Sequence, residues 1–362
     1  MYTLEEKICI LFGENSVSSN KFFQVWSLFD GVEMLVTSFA HNKDAERLLG
    51  NTYTALKNAI SNNAVDGIIA DMEKHDVFAV TWFSPDYPEQ LRDIDDKPYV
   101  LYCKGDASLF ATNCLAVVGT RKVSSYGKRI AQDFTSMLSK YFTVVSGLAY
   151  GVDSLAHEAT LEEHGKTIAV LGGGLINVYP AANQGLADRL VNSGGLLVTE
   201  YGMRAEPRPY NFPQRNRIVS GLSKGVLVCQ APEKSGTNST VELALEQGRD
   251  VFVVPGEIYD AGFKGSNSLI KSLQGACVTS PRDIVDFYGL DSVEVKKKTH
   301  QLSIEEQAVV NVLLLGQLTF DELVVKTGIA PADLNFMLAN LELSSIIVRL
   351  PGNIYRVYGG IE

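Results

Sequence analysis

Short apolar segments alternate with amphipathic helical segments over residues 115–280, and this alternation constrains the fold more than any other feature of the sequence. A parallel strand is buried on both faces, so it appears as a continuous apolar run, and crossover helices separate one strand from the next. The segments that fit this description are "LAVVG" (115–119), "TVVSG" (143–147), "TIAVLG" (167–172), "LLVTE" (196–200), "GVLVCQ" (225–230), "DVFVVPG" (250–256) and "ACVTS" (276–280). We therefore predict a doubly wound α/β domain whose ligand crevice lies outside the carboxyl ends of its strands.

The regions on either side of this domain have other patterns. Residues up to about Lys74 have a helical pattern, and two apolar runs around a proline-rich turn follow them as an extended lead-in to the sheet. Beyond Tyr288 a polar linker precedes three helical segments and a hairpin with Pro-Gly-Asn at its turn, which is the pattern of a winged helix. The predicted organisation is a helical N-terminal domain (1–77), an extended Rossmann-like domain (78–290), a linker (291–302) and a winged-helix domain (303–362).

Charge is distributed unevenly along the 362 residues, whose formal net charge is −10. Residues 1–100 contain 16 acidic and 8 basic side chains, whereas residues 101–290 contain 17 acidic and 18 basic ones. The overall acidity argues against non-specific binding of nucleic acid, because an acidic surface repels phosphates. The balanced middle segment still permits a local basic site in the sheet domain.

The cysteines and the apolar segments indicate the cellular compartment of the protein. The 5 cysteines are scattered without a CxxC pair, and the first residues do not have the pattern of a signal peptide. No apolar stretch approaches the length of a membrane span. These features predict a cytoplasmic protein with reduced thiols and no membrane partner.

Four of the segments that follow predicted strands contain residues suited to holding an anion. Glycine and hydroxyl residues at a helix start leave backbone N–H groups free for a phosphate, and a guanidinium adds two parallel donors. The candidates at these strand ends and in the loops that follow are Gly119, Thr120, Arg121, Ser146, Gly147, Gly173, Lys234, Ser235 and Gly236. Because all of them lie at or beyond the carboxyl ends of strands of one parallel sheet, we expect them to converge on one edge of that sheet.

A fifth candidate anion-binding segment is "NFPQRNRIVSGLSK" (211–224), which precedes the strand "GVLVCQ". Its two arginines either solvate a turn or hold an anion. The second interpretation predicts phosphate clamps at both arginines, with the asparagine between them fixing the loop or touching a base edge. The candidate binding residues of this segment are Asn211, Phe212, Arg215, Asn216 and Arg217.

Signatures of catalysis and of cofactor binding are missing from the sequence. There is no GxGxxG after the first strand, no P-loop and no cluster of His, Cys and carboxylate residues for a metal. Asp153 and His157 lie four residues apart on one predicted helical face, where they form either an acid–base pair or a structural hydrogen bond. Tyr126, Tyr179 and Phe212 either stack on bases or cover the core. We therefore predict no catalytic residue, no cofactor and no metal.

The order of these motifs resembles that of the DNA processing protein A (DprA/Smf) family. The segments that carry the resemblance are "VVGTRKVSSYG" (117–127), "VVSGLAYGVDSLAHEATL" (144–161), "GKTIAVLGGGLINVYPAAN" (165–183), "NFPQRNRIVSGLSKGVLVCQA" (211–231), "KSGTNSTVELALEQGRDVFVVPG" (234–256) and "GSNSLI" (265–270). The resemblance implies an extended Rossmann fold that binds and protects single-stranded DNA and forms homodimers. It also implies loading of the RecA recombinase onto incoming strands during natural transformation, without catalysis.

The resemblance also implies roles for individual residues. Arg121 matches the arginine of the family's Gly-Ser/Thr-Arg motif in the DNA pocket, and Arg215, Asn216 and Arg217 match its Phe-Pro-x-Arg-Asn-Arg motif. Residues 234–236 match its Ser-Gly loop. The C-terminal winged helix is similar to one that many members carry.

Two features fit the family pattern less directly. "FGENSVSSNKF" (12–22) stands where the family usually has the glycine-rich turn of an N-terminal helix-hairpin-helix or SAM-like domain. "KSGTNSTVE" (234–242) is also similar to the Gly-x-Gly-Thr-x-x-Glu signature of the lysine-decarboxylase-like phosphoribohydrolases. The alternative function is therefore hydrolysis of a nucleoside monophosphate, with Glu242 as the candidate acidic residue.

Overall fold

A nine-stranded sheet lies at the centre of the larger of the two units into which the chain divides, Met1–Val293 and Glu294–Glu362. The computed structural model describes residues 2–290, 302–343, 346–350 and 352–357. The predicted linker (291–302) lies outside the described residues apart from Leu302. The predicted domain boundaries stay predictions.

The large sheet is mostly parallel. Its strands are β1 (Phe78–Thr81), β2 (Val100–Gly105), β3 (Cys114–Gly119), β4 (Thr143–Ser146), β5 (Thr167–Val170), β6 (Leu196–Thr199), β7 (Gly225–Gln230), β8 (Asp250–Val253) and β9 (Ala276–Cys277). They lie in the order β1-β2-β6-β5-β4-β3-β7-β8-β9. Strands β3 to β9 run parallel, whereas β2 pairs antiparallel with both β1 and β6. The predicted α/β fold is confirmed, and the two lead-in runs form the antiparallel strands β1 and β2.

The order of the parallel strands reverses once, between β3 and β7. From β3 the chain continues through β4, β5 and β6 on one side and later through β7, β8 and β9 on the other. The carboxyl ends at the reversal are Gly119 of β3 and Gln230 of β7. Loops that leave neighbouring parallel strands in opposite directions open a crevice between them. This switch point is where the topology provides room for a ligand.

Helices surround the sheet and precede it. Those of the larger unit are α1 (Leu4–Glu14), α2 (Ser19–Trp26), α3 (Val32–Ser38), α4 (Lys43–Leu49), α5 (Asn51–Ser61), α6 (Val65–Lys74), α7 (Glu89–Arg92), α8 (Ser125–Leu138), α9 (Val152–Glu162), α10 (Gln184–Asn192), α11 (Asn211–Gly221), α12 (Gly236–Glu246), α13 (Lys264–Lys271) and α14 (Pro281–Phe287). The arginine-rich segment before β7 is thus helix α11 and not a loop.

The N-terminal helices pack against the antiparallel side of the sheet. Their apolar side chains form one continuous cluster with residues of β1 and β2. Two tyrosines of this region hold α1 and the turn that follows it, since the hydroxyl of Tyr102 donates to the carbonyl of Ile10 in α1 at 3.0 Å and that of Tyr99 donates to the carbonyl of Val17 at 2.7 Å. The helical leader and the sheet therefore share one hydrophobic core.

The smaller unit has the predicted winged-helix elements. These are α15 (Ile304–Leu313), β10 (Leu318–Thr319), α16 (Phe320–Thr327), α17 (Pro331–Leu343), β11 (Ile347–Leu350) and β12 (Ile354–Val357). The strands form an antiparallel sheet in the order β10-β12-β11. Capping boxes at Ser303 and Thr319 start α15 and α16, since each side chain accepts the N–H three residues ahead. Val309, Leu323 and Leu338 belong to its core.

Candidate functional site

A cleft of about 620 Å³ opens at the switch point and is called the main cleft below. Its walls come from the loops after β3, β4 and β7 and from helices α11 and α12, so separate predicted segments converge at one sheet edge. The predicted site residues that line it are Gly119, Thr120, Arg121, Gly147, Phe212, Arg215, Asn216, Lys234, Ser235 and Gly236. The convergence follows from the parallel order of the strands, which brings their carboxyl ends to the same edge.

Arg121 presents an accessible guanidinium to the main cleft. The side chain is exposed, and no carboxylate of the described residues forms an ion pair with it. Its Cζ lies 5.6 Å from the centroid of the Phe212 ring, which is itself 5.5 Å from the ring of Tyr179. A guanidinium beside two aromatic rings offers charge to a phosphate and flat faces to bases.

The start of α12 forms a second part of the main cleft whose chemistry suits an anion. Ser235 caps this helix by accepting the N–H of Thr237 at its hydroxyl (3.2 Å) and the N–H of Asn238 at its carbonyl oxygen (3.1 Å). The N–H of Gly236, the first residue of the helix, has no carbonyl four residues earlier within the helix to bond to. The dipole of the helix favours negative charge at this end. Lys234, which is exposed and precedes the cap, adds a full positive charge.

Arg215 lines the main cleft from its floor, where only 3% of its surface is exposed. Its Nη1 donates to the carbonyl oxygen of Gly147 at 2.7 Å and also to that of Val170, so the guanidinium joins the ends of β4 and β5. A side chain at Gly147 would leave no room for it, because a Cβ there would lie 2.2 Å from Nη2. Burial lowers the pKa of Arg215 to about 10, so the guanidinium stays charged at neutral pH.

Asp153 balances part of this buried charge from the first turn of α9. Its Oδ2 accepts the N–H groups of Gly147 at 3.2 Å and Ala149 at 3.4 Å, which holds the loop after β4 in place. Burial raises the pKa of Asp153 above its usual range, and the nearby Arg215 opposes this shift. Leu148, between the two donors, has φ 54°, a conformation that L residues rarely adopt. The buried pair of charges therefore fixes a strained loop at the edge of the cleft.

The structure places Arg217 away from the main cleft, although the sequence analysis predicted it as a phosphate clamp. The segment forms a helix, so side chains two positions apart point about 200° apart around the axis. Nη1 and Nη2 of Arg217 each lie 2.6 Å from a carboxylate oxygen of Glu200, and Nε lies 3.0 Å from Asp96 Oδ2. Burial alone would lower the pKa of Arg217, but the pairing with Glu200 raises it above its usual range. The positive charge is therefore already neutralised within the fold.

Three other predicted site residues support the main cleft from behind and do not line it. Asn211 donates from Nδ2 to the carbonyl oxygen of Gly172 at 2.9 Å, and the Ser146 hydroxyl donates to that of Val117 at 2.7 Å. Gly173 is buried, and a Cβ there would lie 3.2 Å from Pro207. Among the aromatic candidates, Tyr126 also stands outside the cleft, where its ring packs 5.4 Å from Phe263.

The predicted set of site residues omitted several that line the main cleft. Lys122 is an exposed cation directly after Arg121, and its position at the same strand end was the available signal. Ser239 and Thr240 line the cleft from α12 because they lie about one helical turn beyond Gly236. The helical period, applied to the predicted helical segment that begins at Gly236, would have identified both residues.

Glu242, the acidic residue of the alternative function, lies outside the main cleft. It lines a separate cavity of about 120 Å³ with Glu233 and Asn238. Ser239 and Thr240 of the same helix line the main cleft, whereas Glu242, one turn further along α12, lines only the smaller cavity among the described residues. The carboxylate that lines the main cleft among the described residues is the buried Asp153.

His157 is held by a hydrogen bond to Thr167 and not to Asp153 among the described contacts. Its Nδ1 lies 2.7 Å from Thr167 Oγ1, whose own proton goes to the carbonyl oxygen of Val144. Nδ1 is therefore the donor in this bond. Burial lowers the pKa of His157 to about 3, since the interior disfavours the charged imidazole.

The buried His157 predicts a loss of stability in acid. In the unfolded chain an imidazole takes up a proton near pH 6.5, whereas His157 in the folded state stays neutral down to about pH 3. The unfolded state binds more protons within this window, so the free energy of unfolding falls as the pH falls. From about pH 7 to about pH 5 this group should cost about 2 kcal/mol. Urea unfolding should show that, between about pH 7 and about pH 5, the free energy of unfolding of His157→Gln falls by about 2 kcal/mol less than that of the wild type. An equal fall in both proteins would contradict the assignment of His157 as a buried, neutral imidazole.

Neither a metal-binding cluster nor a membrane-spanning helix occurs among residues 2–290, 302–343, 346–350 and 352–357. No group of three or more His, Cys, Asp or Glu side chains in this part of the chain is placed to hold a metal ion. No helix in it combines the length and the apolar character that crossing a membrane would need.

The fold and the main cleft define a class of protein. It is a Rossmann-like α/β protein with a cleft at its switch point that is lined by arginine and lysine side chains, accompanied by a winged-helix unit. Residues 78–289 match the family model of DNA recombination-mediator protein A, and residues 296–353 match that of the DprA winged helix domain. The chain belongs to this family of DprA and Smf proteins, and its general role is therefore in DNA processing and recombination.

Individual relatives and solved structures agree with this assignment. The chain is 39% identical to Protein Smf of Escherichia coli (strain K12) over 289 residues, which cover 75% of each chain. It is 43% identical to DNA processing protein DprA of Streptococcus pneumoniae over 200 residues, 55% of this chain and 70% of that protein. The X-ray structure of DNA processing protein A from Streptococcus pneumoniae matches with a TM-score of 0.67 and 32% identity, covering 79% of this chain and 98% of that chain.

A second solved structure is that of DNA processing protein A from Helicobacter pylori, which is described by its single-stranded DNA binding mode. It matches with a TM-score of 0.54 and 29% identity, covering 59% of this chain and 96% of that chain.

Proposed function

We propose that this protein binds single-stranded DNA in the main cleft and acts as a recombination mediator. The observation that carries the proposal is the exposed guanidinium of Arg121 beside the ring of Phe212. A single strand presents both a charged phosphate and an unpaired base, and this arrangement offers a partner to each. The single-stranded DNA binding described for the Helicobacter pylori relative supports the same proposal.

The contacts divide into those with the strand and those that hold the cleft. Phosphates would bind Arg121, Lys122, Lys234 and the start of α12, and bases would stack on Phe212 and Tyr179. Arg215 contributes fixed positive charge from below and holds the strand-end loops in position. Because its guanidinium is buried, its contribution to DNA binding is mainly the geometry of the cleft.

The main cleft suits a single strand better than a duplex. Unpaired bases expose their flat faces, whereas a duplex keeps them stacked and leaves only groove edges and phosphates for contact. A duplex would also approach the surrounding surface, and residues 1–100 carry twice as many acidic as basic side chains. Repulsion from this region would penalise the bulkier ligand.

Phosphoribohydrolase activity is not supported by the position of Glu242, which lines a different cavity. Glu242→Gln should therefore leave affinity for a fluorescent oligonucleotide within about twofold, the range expected when an exposed charge is removed. Release of the base from nucleoside monophosphates should be undetectable in the same preparation, before and after the substitution. Hydrolysis that Glu242→Gln abolishes would establish the alternative function.

We infer that the protein, acting in the cytoplasm, protects the bound strand and passes it to the RecA recombinase during natural transformation. The family description as a recombination mediator supports this role. The expected result is resistance of bound DNA to nuclease and faster RecA-dependent strand exchange on DNA coated with single-strand-binding protein. Arg121→Ala should lose both effects together, since both depend on holding the strand.

We also infer a homodimer, and the outer edge of the large sheet supports it. Among the described strands β9 pairs with β8 alone, and both of its side chains, Ala276 and Cys277, are exposed. The neighbouring side chains of Leu273 and Phe287 are 91% and 59% exposed, which is unusual for large apolar residues. Analytical ultracentrifugation should detect the dimer, and a monomer at all concentrations would contradict it.

A further inference from the structure

A second cleft of about 430 Å³ lies on the other side of Arg121 from the main cleft. The first turn of α8 forms one wall, and the loop after β4 with the start of α9 forms the other. Arg121 lines both clefts, and it is the residue that they share. The same guanidinium can therefore contact a chain that passes from one cleft into the next.

The strand-end loops beneath Arg121 are in direct contact and leave no gap between the two clefts. The N–H of Val152 donates to the carbonyl oxygen of Thr120 at 3.2 Å. A Cβ at Gly151 would lie 2.3 Å from that oxygen and 2.7 Å from the Cα of Arg121, so only glycine permits this approach. Gly151 also has φ 82°, which favours glycine. The floor under Arg121 is thus continuous protein.

The charges of the second cleft suit a polyanion. Arg121 and Lys128 are both exposed and line it, and none of its lining residues, all within the described part of the chain, is acidic. Exposed Ser125 adds a hydroxyl to the same surface. Two accessible cations without a neighbouring carboxylate favour a phosphate-bearing ligand.

Tyr150 provides an aromatic face in the second cleft. It is 49% exposed and lies on the loop between β4 and α9. Asn183 holds this loop, since its Nδ2 donates to the carbonyl oxygen of Leu148 at 2.8 Å and to the hydroxyl of Ser154 at 2.9 Å. A ring on a fixed loop loses little conformational freedom when a base stacks on it.

We propose that the second cleft binds the continuation of the DNA strand held in the main cleft. Arg121 and Lys128 contact successive phosphates, and a base stacks on Tyr150. The proposal rests on the proposed function, because it assigns further nucleotides of the same ligand to a second, adjoining site. It predicts that the contribution of the second cleft depends on the length of the strand.

The test compares two oligothymidylates, of about 4 and about 12 nucleotides, both within the range of about 4–16 nucleotides that single-strand-binding folds occupy. Binding of the longer strand to the full chain is measured by fluorescence anisotropy. The shorter strand is measured as an unlabelled competitor of the labelled longer strand. Lys128→Ala and Tyr150→Ala should each weaken binding of the longer strand by about 5-fold to 20-fold and that of the shorter strand by less than about 2-fold. Lys128→Arg and Tyr150→Phe should retain binding.

Matched controls separate the second cleft from general effects of charge and of surface aromatics. Arg129 is an exposed cation beside Lys128 on α8 but lines neither cleft, and Tyr259 is an 85% exposed tyrosine on the loop after β8. Arg129→Ala and Tyr259→Ala should leave binding of both strands unchanged. Losses equal to those of Lys128→Ala and Tyr150→Ala would overturn the assignment.

The remaining outcomes distinguish this inference from the proposed function. If Arg121→Ala weakens both strands while the Lys128 and Tyr150 variants bind the longer strand normally, the second cleft is not used and the proposed function stands. Equal losses on both strands at Lys128 and Tyr150 would also overturn the extension, because the shorter strand should occupy the main cleft alone. If Arg121→Ala leaves both strands unaffected, the proposed function itself fails.

Discussion

Arg217→Ala should lower the free energy of unfolding of the larger unit by about 3–5 kcal/mol, the cost expected when one partner of a buried ion pair is removed. The side chains of Arg217 and Glu200 are only 7% and 14% exposed, and the pair is bidentate. Without the guanidinium, the Glu200 carboxylate would be left largely buried and unpaired. DNA affinity per folded molecule should stay within about twofold of the wild type, because Arg217 does not line the main cleft.

Urea unfolding followed by tryptophan fluorescence measures this change in the relevant unit, since both tryptophans, Trp26 and Trp82, belong to it. Arg47→Ala is a suitable control, because Arg47 forms an exposed ion pair with Asp44 at 3.9 Å. That control should cost less than about 1 kcal/mol. If Arg217→Ala has the same free energy of unfolding as the wild type but binds DNA more weakly, then Arg217 serves DNA binding and does not stabilise the fold through its ion pair.

Arg121→Ala should weaken binding of single-stranded DNA by about 1–3 kcal/mol, or roughly 5-fold to 150-fold, as expected for a charge-assisted contact. It should also reduce the salt dependence by about 0.7 in log–log slope, because one phosphate contact fewer releases one counterion fewer from a single strand. Stability should change little, since the side chain is exposed and forms no ion pair with a described residue, and its contact with the Phe212 ring is a weak one at an exposed site. Arg121→Lys should restore part of the affinity, because it retains the charge without the planar fork.

Lys224 offers a matched control at the opposite edge of the sheet. It is exposed and directly precedes β7, whereas the main cleft lies beyond the carboxyl end of that strand. Lys224→Ala removes one positive charge but no residue of the cleft, so DNA affinity and salt slope should stay close to those of the wild type. Equal effects at Lys224 and Arg121 would show that only net charge matters.

The position of the main cleft could be predicted from the sequence because it depends on local patterns and one topological rule. Apolar runs identify parallel strands, and parallel strands bring the loops that contain Arg121, Gly147 and Gly236 to one edge. The positions of Lys122 and Thr240 in the main cleft follow from the same reasoning. Lys122 lies just beyond a strand end, and Thr240 lies about one helical turn beyond Gly236.

The separation of Arg215 from Arg217 could not be predicted in the same way. It requires knowing that "NFPQRNR" (211–217) is the start of a helix, where Pro213 lies in the first turn and so removes no necessary N–H donor. It also requires the partner of Arg217, since Glu200 lies 17 residues earlier and nothing local relates the two. The antiparallel pairing of β2 with β6 joins residues far apart in the sequence for the same reason.

The most direct test of the central claim is the affinity of the full chain for one labelled oligonucleotide, as a single strand and as a duplex, across a salt series without ATP or divalent metal. The account predicts that the single strand binds at least about tenfold more tightly than the duplex, with affinity falling linearly against salt on a log–log scale. Arg121→Ala should reduce the difference in affinity between the single strand and the duplex. Equal affinity for both forms, unchanged in Arg121→Ala, would contradict a single-strand site in the main cleft.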